Sequence, residues 1–151
     1  MTQVAASPSG RSSTPDDLLG HAAKGKVIEA RPGMVIFQPR GTNYELHLEA
    51  TDFAGPVNKP TQGLVRVRAR KVYTVPSGGN FIAPILGTPR TVQGRVLAVT
   101  PSHVVLQAGG PVVVDLPEES HAIDLGNGPI EEGAIVNVVA LPGAWFEHRA
   151  D

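Results

Sequence analysis

Two blocks of the sequence repeat each other without a gap. GKVIEARPGMVIFQ begins at Gly25 and GRVLAVTPSHVVLQ at Gly94, and their Gly, Val, Pro and Gln positions coincide at a spacing of 69 residues. A later pair, GLVRVRA from Gly63 and GAIVNVVA from Gly133, repeats at a spacing of 70. A constant spacing of this length indicates an internal repeat. The sequence therefore predicts two copies of one unit after a Ser-, Thr- and Pro-rich flexible leader: leader 1–24, first copy 25–90, second copy 91–151.

Each copy consists of short Val- and Ile-rich segments separated by turn-forming residues. The chain holds 17 glycines and 14 prolines, and clusters such as RPG, PSGGN and QAGGP favour turns. No segment shows the helical periodicity over about ten residues that a crossover helix needs. The sequence predicts an all-β fold. The predicted strands are 25–30, 34–38, 43–49, 63–75 and 81–86 in the first copy, and 92–99, 104–107, 112–116, 135–141 and 144–148 in the second.

Five strands with the longest connection between the third and the fourth resemble the oligonucleotide/oligosaccharide-binding (OB) fold. These connections contain TDFAGPVNKPTQ in the first copy and EESHAIDLGNGPIEE in the second. The OB fold is a small Greek-key barrel that binds ligands on the face of strands two and three and on neighbouring loops. The resemblance implies two tandem five-stranded OB-like barrels. An SH3-like barrel and a pair of interlocked sheets are the alternatives.

The opening segments of the two copies are similar to those of another family. HAAKGKV and RTVQGRV, together with the size of the unit, are similar to paired molybdate-binding (Mop) modules. Those modules place Ser and Thr hydroxyls and backbone amides around an oxyanion. This resemblance implies Mop-like oxyanion binding as a further alternative function.

Composition excludes several classes of protein. The 151 residues contain no cysteine, which excludes disulfide frameworks and cysteine-based metal sites. No apolar run approaches the ~20 residues needed to cross a bilayer, and the N-terminus lacks the apolar segment of a secretory signal. We therefore expect a cytoplasmic protein with no membrane partner. Within the leader, Thr14 as N-cap and Pro15 at the first helical position predict one or two helical turns.

The formal net charge of −1 hides an asymmetry between the two halves. Residues 1–90 carry 11 Lys and Arg against 6 Asp and Glu, a charge of +5. Residues 91–151 carry 2 Lys and Arg against 8 Asp and Glu, a charge of −6. The first copy is therefore expected to be basic and the second acidic, with opposite surface fields.

Much of the positive charge lies in one predicted strand. In GLVRVRARKVYTVP, the arginines Arg66, Arg68 and Arg70 occupy every second position. Since alternate residues of a strand share a face, we expect these three to point outward. The intervening residues are expected to face the core, namely Val65, Val67 and Ala69. Lys71 directly after Arg70 breaks the alternation and indicates a bulge.

Two aromatic residues near this basic stripe add the stacking surfaces that a nucleic-acid site needs. Tyr73 lies beyond the predicted bulge, and Phe81 lies across the predicted hairpin. Guanidinium groups bind phosphate oxygens, and aromatic rings stack on unpaired bases. The pattern predicts a surface for single-stranded nucleic acid or another polyanion, with the candidate residues Arg66, Arg68, Arg70, Lys71, Tyr73 and Phe81.

A solvated strand face is the alternative interpretation of the stripe, because exposed basic side chains also prevent edge-to-edge pairing of sheets. Glu45, His47 and Glu49 share one face of the YELHLE strand. They are expected to form an exposed polar face that makes cross-strand ion pairs with the arginine strand. A divalent metal on these three side chains is a weaker alternative, and no metal site or cofactor is predicted.

The acidic residues of the second copy suggest a different function. Asp115, Glu118, Glu119, Asp124, Glu131 and Glu132 have none of the spacing of a calcium loop. Their charge is opposite to that of the arginine stripe, so copy two of one molecule could contact copy one of a neighbour. This predicts a structural or protein-interaction module that self-associates through its oppositely charged halves.

Catalytic motifs are missing from the sequence. Nothing matches G-x-S-x-G, H-E-x-x-H or a phosphate loop. We therefore expect a protein that is not an enzyme. A module that binds single-stranded nucleic acid or another polyanion is the first hypothesis, self-association is the second, and oxyanion binding is the third.

Overall fold

The structure, a computed structural model, describes residues 16–51 and 53–149. These residues form twelve strands and two short 3₁₀ helices. In chain order they are η1 Asp16–His21, β1 Ala23–Arg31, β2 Met34–Pro39, β3 Glu45–Glu49, β4 Pro60–Val75, β5 Phe81–Ala83, β6 Leu86–Gly87, β7 Thr91–Val99, β8 His103–Gln107, β9 Pro111–Asp115, η2 Ser120–Ala122, β10 Ile123–Asp124, β11 Ile135–Ala140 and β12 Trp145–His148.

The predicted strands are present with small shifts at their ends. One of them is divided: residues 81–86 form β5 and the start of β6, separated by Pro84, which has no N–H to donate to a neighbouring strand. β10 is a short additional strand inside the longest predicted connection of the second copy. The prediction of an all-β fold is therefore confirmed.

All twelve strands belong to one sheet that is organised around β4, a strand of 16 residues. The first half of β4 pairs with β1 and β12, its middle pairs with β9 in parallel, and its second half pairs with β10 and β11. β4 is therefore the strand on which both predicted copies meet.

The pairings close two rings of strands that share β4. In the first ring, β1, β2, β3, β12 and β4 are neighbours in that order, and β4 pairs back to β1. In the second ring, β4 is followed by β11, β7, β8 and β9, and β9 pairs back to β4. The layout is barrel-like. The structure does not show two separate tandem barrels, because β12 comes from the second predicted copy and lies between β3 and β4 of the first.

The two repeated blocks form hairpins with the same irregularity. β1 and β2 change register between Val27 and Glu29, and β7 and β8 change register between Val96 and Ala98. At Gly25 a Cβ atom would lie 2.1 Å from the carbonyl oxygen of Gln38, and at Gly94 the corresponding distance to the oxygen of Gln107 is also 2.1 Å. Only glycine fits at either position, because the neighbouring backbone approaches too closely for a side chain.

The main core is built from valine, leucine and phenylalanine side chains of both rings. Leu18 of η1 instead packs in a smaller cluster with Leu64, Val105 and Val113. Residues 16–24, which the sequence assigned to the leader, thus form η1 and the start of β1. The predicted N-cap at Thr14 and Pro15 lies outside the described residues. Neither of the two short helices seen in 16–51 and 53–149 is long and apolar enough to cross a membrane.

Candidate functional site

Arg66, the first arginine of the predicted stripe, is fully buried, with a relative exposure of 0%. Val65 and Val67 beside it pack into the main core, as predicted. The prediction that Arg66 faces solvent is wrong, because β12 and β9 flank this part of β4 and supply partners for the guanidinium group. Arg66 therefore lies inside the sheet and is not part of an open binding surface.

The guanidinium group of Arg66 has two carboxylates and an indole ring around it. Nη2 lies 2.6 Å from Oδ1 of Asp115, and Nη1 lies 3.2 Å from Oε2 of Glu147. The ring of Trp145 lies 4.7 Å from the guanidinium carbon, and its Nε1 donates to Oε2 of Glu147 at 2.8 Å. Charge-assisted hydrogen bonds of this kind compensate for the removal of a charge from water.

The next two arginines have different environments. Arg68 is half-buried and lines a groove of about 420 Å³ together with Asp115, Glu118 and Glu119. These carboxylates reduce the attraction of this groove for anions. Arg70 is exposed and is the extra residue of β4 opposite β11, where Ala69 pairs with Ala140 and Lys71 with Val139. The predicted bulge is therefore confirmed, and it separates Arg68 from Lys71.

The strand that was expected to neutralise the arginines lies elsewhere in the sheet. β3 pairs with β2, β6 and β12, so Glu45, His47 and Glu49 do not lie opposite the arginines of β4. The expected cross-strand pairing of these two strands is wrong. His47, Glu49 and Arg70 instead line a cleft of about 690 Å³ between the two rings, which Arg90 also borders. Among the described residues, no group of three His, Asp or Glu side chains could hold a metal ion.

The predicted hairpin that places Phe81 across from the arginine strand is wrong, because β5 pairs with β7 and not with β4. The two predicted aromatic residues instead lie on one sheet face formed by β4, β11, β7 and β5. We call it the open face. Tyr73 pairs with Asn137, Asn137 with Gln93, and Gln93 with Phe81, so the four residues form one row across four strands. One position further along each strand lies a second row of paired residues, and this row is buried. It consists of Val72, Val138, Val92 and Ile82. Since neighbouring residues of a strand point to opposite faces, the row with Tyr73 and Phe81 points away from the core.

The aromatic residues stand at the two ends of this row, and two amides lie between them. Tyr73 is 37% exposed and Phe81 is half-buried. Nδ2 of Asn137 donates to Oε1 of Gln93 at 2.9 Å, and Nε2 of Gln93 donates to the carbonyl oxygen of Gly79 at 3.0 Å. A backbone carbonyl only accepts hydrogen bonds, so it sets the orientation of both amides. Because Nδ2 of Asn137 points to Gln93, Oδ1 of Asn137 lies on the side of the amide that faces away from Gln93.

Basic side chains border the open face on the two sides of this row, along the direction of the strands. Lys71, exposed, lies two positions before Tyr73 on β4. Arg95, also exposed, lies two positions after Gln93 on β7, and its Nη1 donates to the carbonyl oxygen of Gly133 at 2.8 Å. Asp124 of β10 pairs with Tyr73 from the other edge of β4 and adds a carboxylate at that border.

Three residues of the open face were not predicted from the sequence, namely Gln93, Arg95 and Asn137. The sequence does mark Asn137, because it is the one polar residue within the apolar strand IVNVVA. Its position beside Tyr73 depends on the pairing of β11 with β4, which a local pattern does not contain.

No family model, curated protein or solved structure matches this chain.

Proposed function

We propose that this protein is a non-catalytic binding module for single-stranded nucleic acid and that the open face is its binding surface. The observation that supports this most directly is the row that begins with Tyr73 and ends with Phe81 on an outward-facing side of the sheet. Of the six residues predicted for this function, Tyr73 and Phe81 belong to the face, and Lys71 and Arg70 lie at its border.

The separation of the two aromatic residues suits stacking on an extended strand. They are three strand positions apart, which corresponds to about 14 Å at the usual spacing of about 4.8 Å. Aromatic residues on a sheet face stack on about two or three unpaired bases in other nucleic-acid-binding folds. Stacking tolerates any base, because every base has a π face. We therefore expect little sequence preference from Tyr73 and Phe81 themselves.

Phosphates are expected to lie along the basic borders of the face. Lys71 and Arg70 stand at the end next to the 690 Å³ cleft, and Arg90 lines that cleft from β7's side. Arg95 stands at the opposite end. A strand that runs along the row from Phe81 to Tyr73 lies between these two basic borders. Its phosphates meet the carboxylate of Asp124, which repels them, only at the Tyr73 end.

Fluorescence anisotropy of labelled oligo-dT and oligo-U at low salt tests this function. We expect the native protein to bind both oligomers and a duplex of the same length more weakly. The logarithm of the binding constant is expected to fall with the logarithm of salt concentration by about 0.7 per neutralised phosphate. Absence of binding to either oligomer at low salt would refute the proposal.

We further propose that the two rings derive from one duplicated OB-like unit. The matching bulges at Val27/Glu29 and Val96/Ala98, and the equal backbone approach at Gly25 and Gly94, support this origin. In this proposal β12 and β4 occupy corresponding places, because each pairs in parallel with the third strand of its ring. The two units then share strands instead of forming separate barrels.

Oxyanion binding is the second candidate, and a small pocket favours it. Lys24, Gly25, Arg40 and Thr61 line a pocket of about 300 Å³ at the start of β1, where the sequence resembles Mop modules. Two cations suit a small oxyanion, whereas the hydroxyl of Thr61 lies 3.0 Å from Nε2 of His148. Calorimetry with molybdate tests this candidate, with Arg40→Ala expected to abolish binding and Lys59→Ala, an exposed lysine outside the pocket, expected to leave it unchanged.

A further inference from the structure

The amide of Asn137 has an acceptor that nothing in the described part of the structure satisfies. Asn137 is 7% exposed, and its Oδ1 is buried without a hydrogen-bond partner. Buried polar atoms in folded proteins nearly always have partners, and an exception calls for an explanation. Solvent does not reach this atom. Nε2 of Gln93 already donates to Gly79, and Nδ2 of Asn137 already donates to Gln93, so neither donor is directed to Oδ1.

The position of this acceptor points to the open face and not to the core. The cross-strand neighbours of Asn137 are Gln93 on β7 and Tyr73 on β4, and both side chains share its face. Gln93 is hydrogen-bonded to Nδ2 of Asn137, so Tyr73 is the cross-strand neighbour on the remaining side. An exposed tyrosine side chain changes rotamer within nanoseconds, so a turn of its ring can admit a ligand to the amide.

We propose that Oδ1 of Asn137 accepts a hydrogen bond from the Watson–Crick edge of an unpaired base that stacks on Tyr73. The inference rests on the proposed binding of single-stranded nucleic acid and adds a reason for selectivity. Every base carries an N–H donor on its Watson–Crick edge, and in a duplex that donor is already bonded to the opposite strand. A buried acceptor therefore distinguishes unpaired from paired bases without selecting one base.

Oligomers with a single chemical change test the proposal on the native protein. Oligo-dT presents the N3–H of thymine, and oligo-N3-methylthymine has the same charge and ring but no such donor. We expect the methylated oligomer to bind about tenfold more weakly, since a base without the donor leaves the buried acceptor unsatisfied. Equal binding of the two oligomers would overturn this inference and leave the proposed function intact. Absence of binding to both would overturn the function and the inference together.

The variant Asn137→Leu provides the second measurement. It removes the acceptor and keeps a side chain of similar volume, so we expect the variant to bind oligo-dT about tenfold more weakly and to lose the distinction between the two oligomers. Asn43→Leu, at an exposed asparagine before β3, is the matched control and is expected to keep both the affinity and the distinction.

Stability separates this role from a structural one. Asn137→Leu removes the unsatisfied Oδ1 and also the Nδ2 donor to Oε1 of Gln93, but Gln93 is only half-buried, so its oxygen can bond to water instead. We therefore expect the urea midpoint of Asn137→Leu to lie close to that of the native protein. A variant that keeps the tenfold distinction would refute the role of Oδ1. If Asn137→Leu does not fold, the comparison of the two oligomers on the native protein still decides the matter.

Discussion

Nη2 of Arg66 lies 2.6 Å from Oδ1 of Asp115, a residue 49 positions further along the chain. The contact joins the centre of β4 to the end of β9, and the same carboxylate oxygen lies 3.5 Å from Nε2 of His103 on β8. Glu147 of β12 contacts the guanidinium group as well. One arginine thus links strands of both rings through charge, at the place where the rings share β4.

Removal of Arg66 is expected to destabilise the whole sheet. In Arg66→Ala, Asp115 and Glu147 lose their shared cation, and loss of one partner from a buried ion pair costs about 3–5 kcal/mol. Urea denaturation measures the change in the free energy of unfolding. The exposed ion pair of Arg31 with Glu29 provides the control, since Arg31→Ala is expected to cost less than about 1 kcal/mol. Equal costs at the two arginines would show that the buried network does not stabilise the fold.

Charge reversal at Lys71 is expected to weaken the binding of single-stranded nucleic acid. Lys71→Glu removes one cation from the border of the open face, so the slope of log K against log salt is expected to become shallower by about 0.7. Anisotropy titrations of oligo-dT at several salt concentrations measure the slope. Lys59→Glu makes the same change of charge at an exposed lysine before β4. A similar loss for both variants would mean that net charge, and not this face, determines binding.

Loss of the Tyr73 ring is expected to reduce affinity without changing the salt slope. Stacking of one base contributes about 1–3 kcal/mol, so Tyr73→Ala is expected to bind oligo-U at least about fivefold more weakly. Tyr73→Phe keeps the ring and is expected to retain most of the affinity. Because Tyr73 is partly exposed, neither variant is expected to shift the thermal midpoint by more than a few degrees. Unchanged binding in Tyr73→Ala would remove stacking at this residue from the proposal.

Alanine at Gly25 or Gly94 is expected to destabilise the protein to a similar extent. In each case the new Cβ atom would lie 2.1 Å from a carbonyl oxygen of the paired strand. Relief of such a contact requires a backbone shift, with a cost of about 1–3 kcal/mol or more. Gly20→Ala is the control, since no atom lies within 4 Å of the added carbon. A large cost at only one of the two sites would count against their proposed equivalence.

Self-association through opposite charges leads to a separate expectation. Glu118, Glu119, Glu131 and Glu132 are exposed, whereas Asp115 is bound to Arg66 within the same chain. If the acidic residues contact the basic residues of a neighbour, the sedimentation coefficient rises with concentration at low salt and the rise disappears at high salt. Glu131→Lys with Glu132→Lys is then expected to abolish the rise. A constant monomer at high concentration and low salt would end this hypothesis.

The local patterns of the sequence predicted the strands and the bulge at Arg70, because alternation and turn residues are properties of neighbouring positions. Val65, Val67 and Ala69 were also correctly placed in the core. The environment of Arg66 could not be predicted in this way. It depends on Asp115 and Glu147, which are 49 and 81 positions away and arrive through the pairing of β9 and β12 with β4.

The open face was partly visible in the sequence. Tyr73 and Phe81 were recognised as the flanks of a hairpin close in sequence, but that hairpin does not form, and the two residues lie three strand positions apart. Asn137 and Gln93, which lie between them, come from strands far along the chain, and their register follows from the whole sheet. A single polar residue in an apolar strand is a sufficient reason to suspect Asn137, although its neighbours are not evident from that pattern.

The position of β12 in the first ring has a consequence for the synthesis of the protein. The ring that starts at Ala23 closes only when residues 145–148 lie between β3 and β4. During translation the N-terminal half therefore leaves the ribosome with a gap in its sheet, and its apolar residues remain accessible until the last strand emerges.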